Sequence, residues 1–329
     1  MINLVSPLKY LYDKLNLRYT DDTKYDKLIK EYLKGDGEIK ENSNRIIFMC
    51  NGRLPHGGLT DRLCGILTTY YLAKKTNKPF FINWASPFKL ENYLEPNSYD
   101  WRIDDENINY DVKVSDLLVF SSFNPKLYWK RNVLSYLIFR KWLCQKGREK
   151  HVYTNFYFPK RRFPKLYNEL FKPSELLLSE VNKHLIKLGG HYWSFSFRFC
   201  CLLGDFKDIT RCPLDVESAQ ELINNNIKEL KLLMAELPVG YKCLITSDSQ
   251  IFLKNVASID PRIYIVPGPI SHIDVDNSTD HDWLKLFIDQ NLIMKAEKVF
   301  LLKTGDMYKS RFAEFAALIG EKEFIYHIF

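Results

Sequence analysis

The stretch that most constrains this 329-residue chain is residues 46–73. Ile46-Ile47-Phe48-Met49-Cys50 is apolar without alternation, the pattern of a fully buried strand. Asn51 to Gly65, NGRLPHGGLTDRLCG, is a glycine-bearing turn, and Ile66 to Ala73 reads as a packed helix. Gly57-Gly58 lets the backbone turn tightly and approach a ligand with no Cβ in the way. Thr60 is the expected N-cap, with Asp61 in the first helical turn. Free N–H groups at such a helix start suit an anionic or polyhydroxylated ligand, although a purely structural glycine turn has the same outline. The particular feature is the set of ionisable groups around the turn: His56, Asp61 and Arg62.

Lys78-Pro79 punctuates, and Phe80 to Trp84 is a second buried strand. The result is a β-α-β unit, the start of a parallel sheet with helices on its faces. Upstream, residues 1–43 carry eight basic and eight acidic residues. Tyr25, Leu28, Ile29, Tyr32 and Leu33 there fall on one face of an amphipathic helix, ended by Gly35 and Gly37. Residues 86–112 read as loops. No apolar run reaches about 20 residues, the length needed to span a bilayer. The first residues lack the pattern of a signal peptide. None of the seven cysteines forms a CxxC pair, which points away from zinc and disulfide frameworks and toward a reducing cytoplasm.

From residue 189 a second series of strands and helices begins. Strands are expected at 191–199, 241–246, 263–266 and 298–302, and helices at 216–237, 249–256, 282–294 and 310–318, with Thr279 to Asp282 as a capping box. Two domains follow, 1–188 and 189–329, each a doubly wound α/β fold. Arg198, at the end of the first of these strands, faces the crevice where such folds bind ligands, and its fork can hold two diphosphate oxygens. It could equally pair with Asp205 or Asp208. Ser247 and Asp248 could bind a ribose or base edge, or cap a helix. Thr304, Gly305, Ser310 and Arg311 lie in a strand-turn-helix that makes a phosphate cradle.

Residues 126–165 differ in character: twelve basic residues against one acid, Glu149, interleaved with aromatics. Such a stretch can meet nucleic acid, an anionic membrane surface or an acidic acceptor, or be a solvated face over an aromatic core. Lys130, Arg131, Arg140 and Lys141 are its candidate contacts.

The motif HGGLTDRLCGI followed by FFINW resembles the N-terminal motif of the fucosyltransferase-like GT-B glycosyltransferases, the superfamily of NodZ, core α-1,6-fucosyltransferases and plant cell-wall fucosyltransferases. SFRF…GDFKD…RC resembles that family's donor-binding strand, with Arg198 in the position of the arginine that contacts the diphosphate. Ser196 stands where the family has histidine. Thr246-Ser247-Asp248, His272 with Asp274, and Thr304 to Arg311 resemble its later segments. The resemblance implies two Rossmann-like domains facing a cleft and inverting transfer of a sugar, foremost fucose from GDP-fucose, to a glycan hydroxyl. Arg198 is then expected to stabilise the leaving group, and a general base must take the acceptor proton, for which His56, Asp61 and Asp205 are the candidates. The resemblance assigns Gly57, Gly58, Arg62, Arg198, Ser247, Asp248, His272, Asp274, Thr304, Gly305, Ser310 and Arg311 to the nucleotide sugar. No DxD-type motif stands in the expected place, so no metal or cofactor is expected. The expected partners are the nucleotide-sugar donor, a glycan or lipid-linked glycan acceptor and a peripheral membrane contact, with no nucleic acid. The rival readings are a nucleic-acid-binding protein and a catalytically silent nucleotide-sugar-binding module.

Overall fold

The computed structural model describes residues 22–35, 44–54, 56–120, 137, 140–145, 148–206, 212–270, 273 and 283–329. The chain divides into two compact units, Met1–Lys172 and Pro173–Phe329. The division falls before residues 174–188, not after them. Helix α4 (Glu175–Leu188) buries Leu177, Val181, His184 and Leu188. Its His184 bonds the Tyr264 hydroxyl at 2.5 Å, within the second unit.

The first unit is built on a four-stranded parallel sheet in the order β2-β1-β5-β4. Its strands are β1 (Ile46–Cys50), β2 (Phe80–Trp84), β4 (Ser115–Phe120) and β5 (Glu149–Thr154). A short ribbon pairs β3 (Leu94–Pro96) with β6 (Phe171–Pro173). Helix α1 (Asp22–Lys34) lays Leu28 and Tyr32 onto a core with Ile47, Met49 and Tyr153, while Leu33 is left exposed. Helix α2 (Leu59–Thr76) starts earlier than the apolar pattern indicates: Gly58 is its N-cap and Thr60 lies inside it. Gly65 lets α2 run against the end of β5, since a Cβ there would stand 2.1 Å from the Thr154 carbonyl oxygen. Helix α3 (Phe163–Leu170) closes the unit.

Strands β4 and β5 are not visible as strands in the sequence pattern. β5 lies in the middle of the basic stretch and is buried throughout, Glu149 and Lys150 included. Part of the stretch 126–165 is therefore core and not surface. Burial is tolerated because the polar groups are paired. Lys150 and Arg148 both meet Asp116, and the Lys150 ammonium lies 4.9 Å from the Trp142 ring centroid. Glu149 accepts from His151 Nε2 (2.6 Å), Arg45 Nε (2.6 Å) and the Asn109 N–H (3.1 Å). His151 Nδ1 then takes the Tyr32 hydroxyl at 2.5 Å, so the neutral Nε2–H imidazole satisfies both neighbours.

The second unit has a five-stranded parallel sheet in the order β11-β10-β7-β8-β9. Its strands are β7 (Tyr192–Phe197), β8 (Lys242–Ser247), β9 (Ile263–Tyr264), β10 (Lys298–Lys303) and β11 (Glu323–Ile328). The connecting helices are α5 (Val216–Ala235), α6 (Gln250–Val256), α7 (Leu284–Lys295) and α8 (Phe312–Ile319). Trp193, Phe195 and Phe197 of β7 pack with Ile223, Leu230, Phe252 and Phe300 in one core. α7 begins at Leu284 with Trp283 as its N-cap, and Thr279 and Asp282 lie outside the described residues. β11, absent from the sequence reading, completes the edge of the sheet.

Candidate functional site

In each unit the strand order reverses at one place, and ligands of open α/β sheets bind beside such switch points. In the first unit the reversal lies between β1 and β5. The turn Asn51–Gly58 leaves β1 there. Gly57 has φ +83°, and a Cβ on it would stand 2.6 Å from Asp61 Oδ2. The Asp61 carboxylate therefore lies against the glycine backbone, and it is half-buried. His56 is buried, with Nδ1 3.1 Å from the Leu54 carbonyl and its ring packed near Phe48 and Tyr153. Arg62 is only 4% exposed. It donates through Nε to the Gly57 carbonyl (3.0 Å) and through Nη1 to the Ser86 carbonyl (2.9 Å) and Cys50 Sγ (2.8 Å), over the Trp84 ring. In this geometry the Arg62 guanidinium braces the glycine turn from inside.

In the second unit the reversal lies between β7 and β10. Arg198 leaves β7 there, and the loop 304–311 leaves β10 beside it. The two are joined: the Tyr308 N–H donates to the Arg198 carbonyl at 2.9 Å. In that loop Gly305 has φ +49°, and its carbonyl accepts from Lys303 Nζ at 2.7 Å. Ser310 Oγ accepts the Phe312 N–H at 3.2 Å at the start of α8. Thr304, Ser310 and Arg311 are half-buried.

Asp248 follows β8, the next strand over. It sits 3.2 Å from Arg198 Nη1 and accepts the Phe199 and Cys200 N–H groups at 2.8 and 2.7 Å. Burial pushes its carboxyl above the usual range, against the pull of Arg198 and those two amides. Among the described residues, Asp248 forms an ion pair with Arg198. Asp205 Oδ2 accepts Ser249 Oγ (3.0 Å) and the Ile251 N–H (2.7 Å), at the start of α6. Ser247 Oγ accepts the Ser249 N–H at 3.1 Å, and Ser249 is the N-cap of α6. Ser196, in the place of the family histidine, hydrogen-bonds Thr246 Oγ1 at 2.7 Å. The structure therefore brings Arg198, Ser247, Asp248 and the 304–311 loop to one edge of one sheet. His272, Asp274, Asp208, Lys130 and Arg131 lie outside the described residues; Arg140 and Lys141 are exposed.

Sequence reasoning missed the role of Tyr308, whose backbone couples the two loops and which only pairing between distant strands reveals. Phe206, in the GDFKD segment grouped with Arg198 from the sequence, has its ring 4.8 Å from the Arg198 guanidinium. Among the described residues no helix is long and apolar enough to cross a membrane.

No protein-family model matches the chain, and no curated protein matches it. Solved structures do. A NodZ alpha-1,6-fucosyltransferase soaked with GDP-fucose superposes with a TM-score of 0.52 at 17% identity, over 84% of this chain and 92% of that one. Fucosyltransferase NodZ from Bradyrhizobium gives 0.51 at 16%, over 84% and 92%. A variant of Arabidopsis thaliana FUT1 in complex with GDP gives 0.54 at 14%, over 92% of this chain and 74% of that one. The chain has the fucosyltransferase-like GT-B fold, built from two α/β units. At these identities the likeness is one of fold.

Proposed function

We propose that this protein is an inverting glycosyltransferase that moves fucose from GDP-fucose to a glycan hydroxyl. The observation that carries the reading is the junction at the β7/β10 switch point, where the Tyr308 N–H on the Arg198 carbonyl ties a cation to a glycine-bearing loop. Arg198 and the loop 304–311 hold the diphosphate. The sugar becomes oxocarbenium-like as the bond to the diphosphate breaks, and the same groups stabilise the charge that gathers on the leaving group. The NodZ structure is of protein soaked with GDP-fucose and the FUT1 structure is of a complex with GDP, which supports a guanine nucleotide as the carrier. Ser247, His272 and Asp274 are assigned to the nucleoside, and Thr304, Gly305, Ser310 and Arg311 to the phosphates. Gly57 and Gly58 are assigned to the sugar side.

Of the three rival bases we choose Asp61, half-buried against Gly57. His56 is enclosed by aromatic rings, and Asp205 is engaged at a helix start. Asp61 takes the proton of the acceptor hydroxyl as that oxygen attacks the anomeric carbon. Cationic side chains and N–H groups supply the neutralisation, so turnover survives chelation by EDTA. The exposed Arg140 and Lys141, with Lys130 and Arg131, meet an anionic acceptor or a membrane bearing a lipid-linked glycan, in the cytoplasm. Replacing all four with Gln raises the acceptor KM or releases the protein from anionic vesicles, with donor binding unchanged.

The deciding experiment is a thermal-shift panel of nucleotides and nucleotide sugars, followed by a turnover assay. GDP at a hundred times its dissociation constant stabilises the fold by about 2.7 kcal/mol. No shift with any nucleotide rejects the reading. A shift without turnover on any glycan leaves a silent binding module.

A further inference from the structure

Phe197 of β7 pairs in register with Ser247 of β8, so Arg198 and Asp248 leave adjacent strand ends side by side. The turn that follows Arg198 is unusual. Cys200 has φ +55°, a left-handed conformation that a side chain other than glycine seldom adopts. It persists only where surrounding contacts over-determine it. Those contacts are visible. One Asp248 oxygen accepts the Phe199 N–H, and the other accepts the Cys200 N–H and faces Arg198 Nη1. Phe199 is fully buried, its ring packed near Phe197 and Phe252. From the opposite side the Tyr308 N–H holds the Arg198 carbonyl. The Asp248 side chain is 4% exposed and that of Arg198 is 17% exposed. The carboxylate is thus sealed beneath the cation, with each oxygen committed to the turn.

We infer that Asp248 is a positioning residue: its carboxylate clamps the turn 198–200 and aims the Arg198 guanidinium, and it does not itself touch the nucleotide sugar. This departs from the donor contact expected of Asp248, and it rests on the reading of Arg198 as the diphosphate-binding cation. A guanidinium held by a carboxylate beneath it is fixed in one orientation. Less ordering is then left to the moment of reaction, which is where misplacement of a catalytic cation is felt. Asn at this position keeps the shape but loses the charge and one of the two acceptors.

The test combines two measurements on wild type, D248N, R198A and the double variant. Hydrogen exchange read by mass spectrometry on peptides spanning residues 198–203 reports the clamp with no ligand present. In D248N the exchange there should quicken roughly tenfold, while strands β10 and β11 keep their protection. The second measurement is GDP binding by calorimetry together with kcat for the nucleotide sugar that the panel identifies. D248N should lower kcat by roughly ten- to a hundredfold per folded molecule, with a smaller change in donor KM. In the R198A background the same substitution should add less than about twofold, because Asp248 acts through Arg198. Defects in GDP binding or kcat that multiply in the double variant would show that Asp248 contacts the ligand itself and overturn the inference. Unchanged exchange at 198–203 in D248N would overturn the clamp, as would a kcat loss explained by the unfolded fraction. If wild type binds no nucleotide, the proposed function fails, and the exchange measurement still decides whether the clamp exists.

Discussion

Arg62 and Arg198 each stand beside the switch point of a parallel sheet, and the two units use them in opposite ways. Arg62 spends its donors on backbone carbonyls and a thiol and is sealed, 4% exposed. Arg198 is held by a carboxylate and keeps part of its side chain at the surface. A guanidinium bonded to carbonyls across a turn is a brace. One bonded to a buried carboxylate is a mounted cation. In a sequence the two are alike: an arginine near glycines, beside a strand.

The sharpest way to break this comparison is Arg198→Ala. Transfer should fall by roughly a hundred- to a thousandfold. The melting temperature should drop by only a few degrees, because Asp248 keeps two backbone donors. Full turnover in a steady-state assay would remove Arg198 from the mechanism. Arg62→Ala should do the reverse, costing about 3 kcal/mol of stability in urea titration as the Gly57 and Ser86 carbonyls lose this donor. Nucleotide affinity should be unchanged at temperatures where that variant is folded. A stable Arg62→Ala protein with weakened donor binding would reverse the two assignments.

Gly57→Ala is the next largest effect. The positive φ and the close Asp61 carboxylate together should cost about 2 kcal/mol. If Asp61 is the base, kcat falls as well while donor affinity holds, read by single-turnover kinetics and calorimetry. An unchanged kcat would move the base elsewhere.

The smallest effect separates the units by pH. In the first unit, burial opposes the Glu149 charge, yet the His151 bond, the Asn109 amide and Arg45 outweigh it and hold the carboxyl below its usual range. Burial also pushes His151 below the usual imidazole range, against the pull of Glu149. A depressed carboxylate contributes stability above its unfolded pKa and loses it as pH falls through the folded value. A depressed imidazole costs stability once pH falls below its unfolded value of about 6.5, because only the unfolded chain readily takes the proton. Both signs make β5 weaken in acid. In the second unit burial raises Asp248 and Asp289, so their contribution declines as pH rises and acid favours them. His184, also depressed by burial, works against that trend. Protection factors on β5 should therefore fall between pH 7 and 5 more than those on β7 and β8. Equal losses in the two sheets would mean that these buried groups do not control the difference.

Much of the architecture was legible in the residues themselves. Strands β1, β2, β7, β8 and β10 are short apolar runs, and α5 announces itself by apolar spacing between Pro213 and Pro238. Arg198 and the 304–311 loop could be singled out because a strand end and a strand-turn-helix are local patterns. β5 could not, since its Glu149-Lys150-His151 start looks like surface until Asp116, Arg45 and Tyr32 arrive from distant segments to pair it. The N-cap of α2 was misplaced for a similar reason: Thr60 is the better capping residue, but the turn braced by Arg62 starts the helix at Gly58.

Consecutive residues determined the elements and their order, because periodicity, glycine and proline act over a few positions. Tertiary structure alone decided the partners: Asp248 under Arg198, Tyr308 against its carbonyl, carbonyls around Arg62. Strand register sets the first two pairings across about 50 and 110 residues of chain, and hydrogen bonds with a reach of about 3 Å leave no trace in local composition.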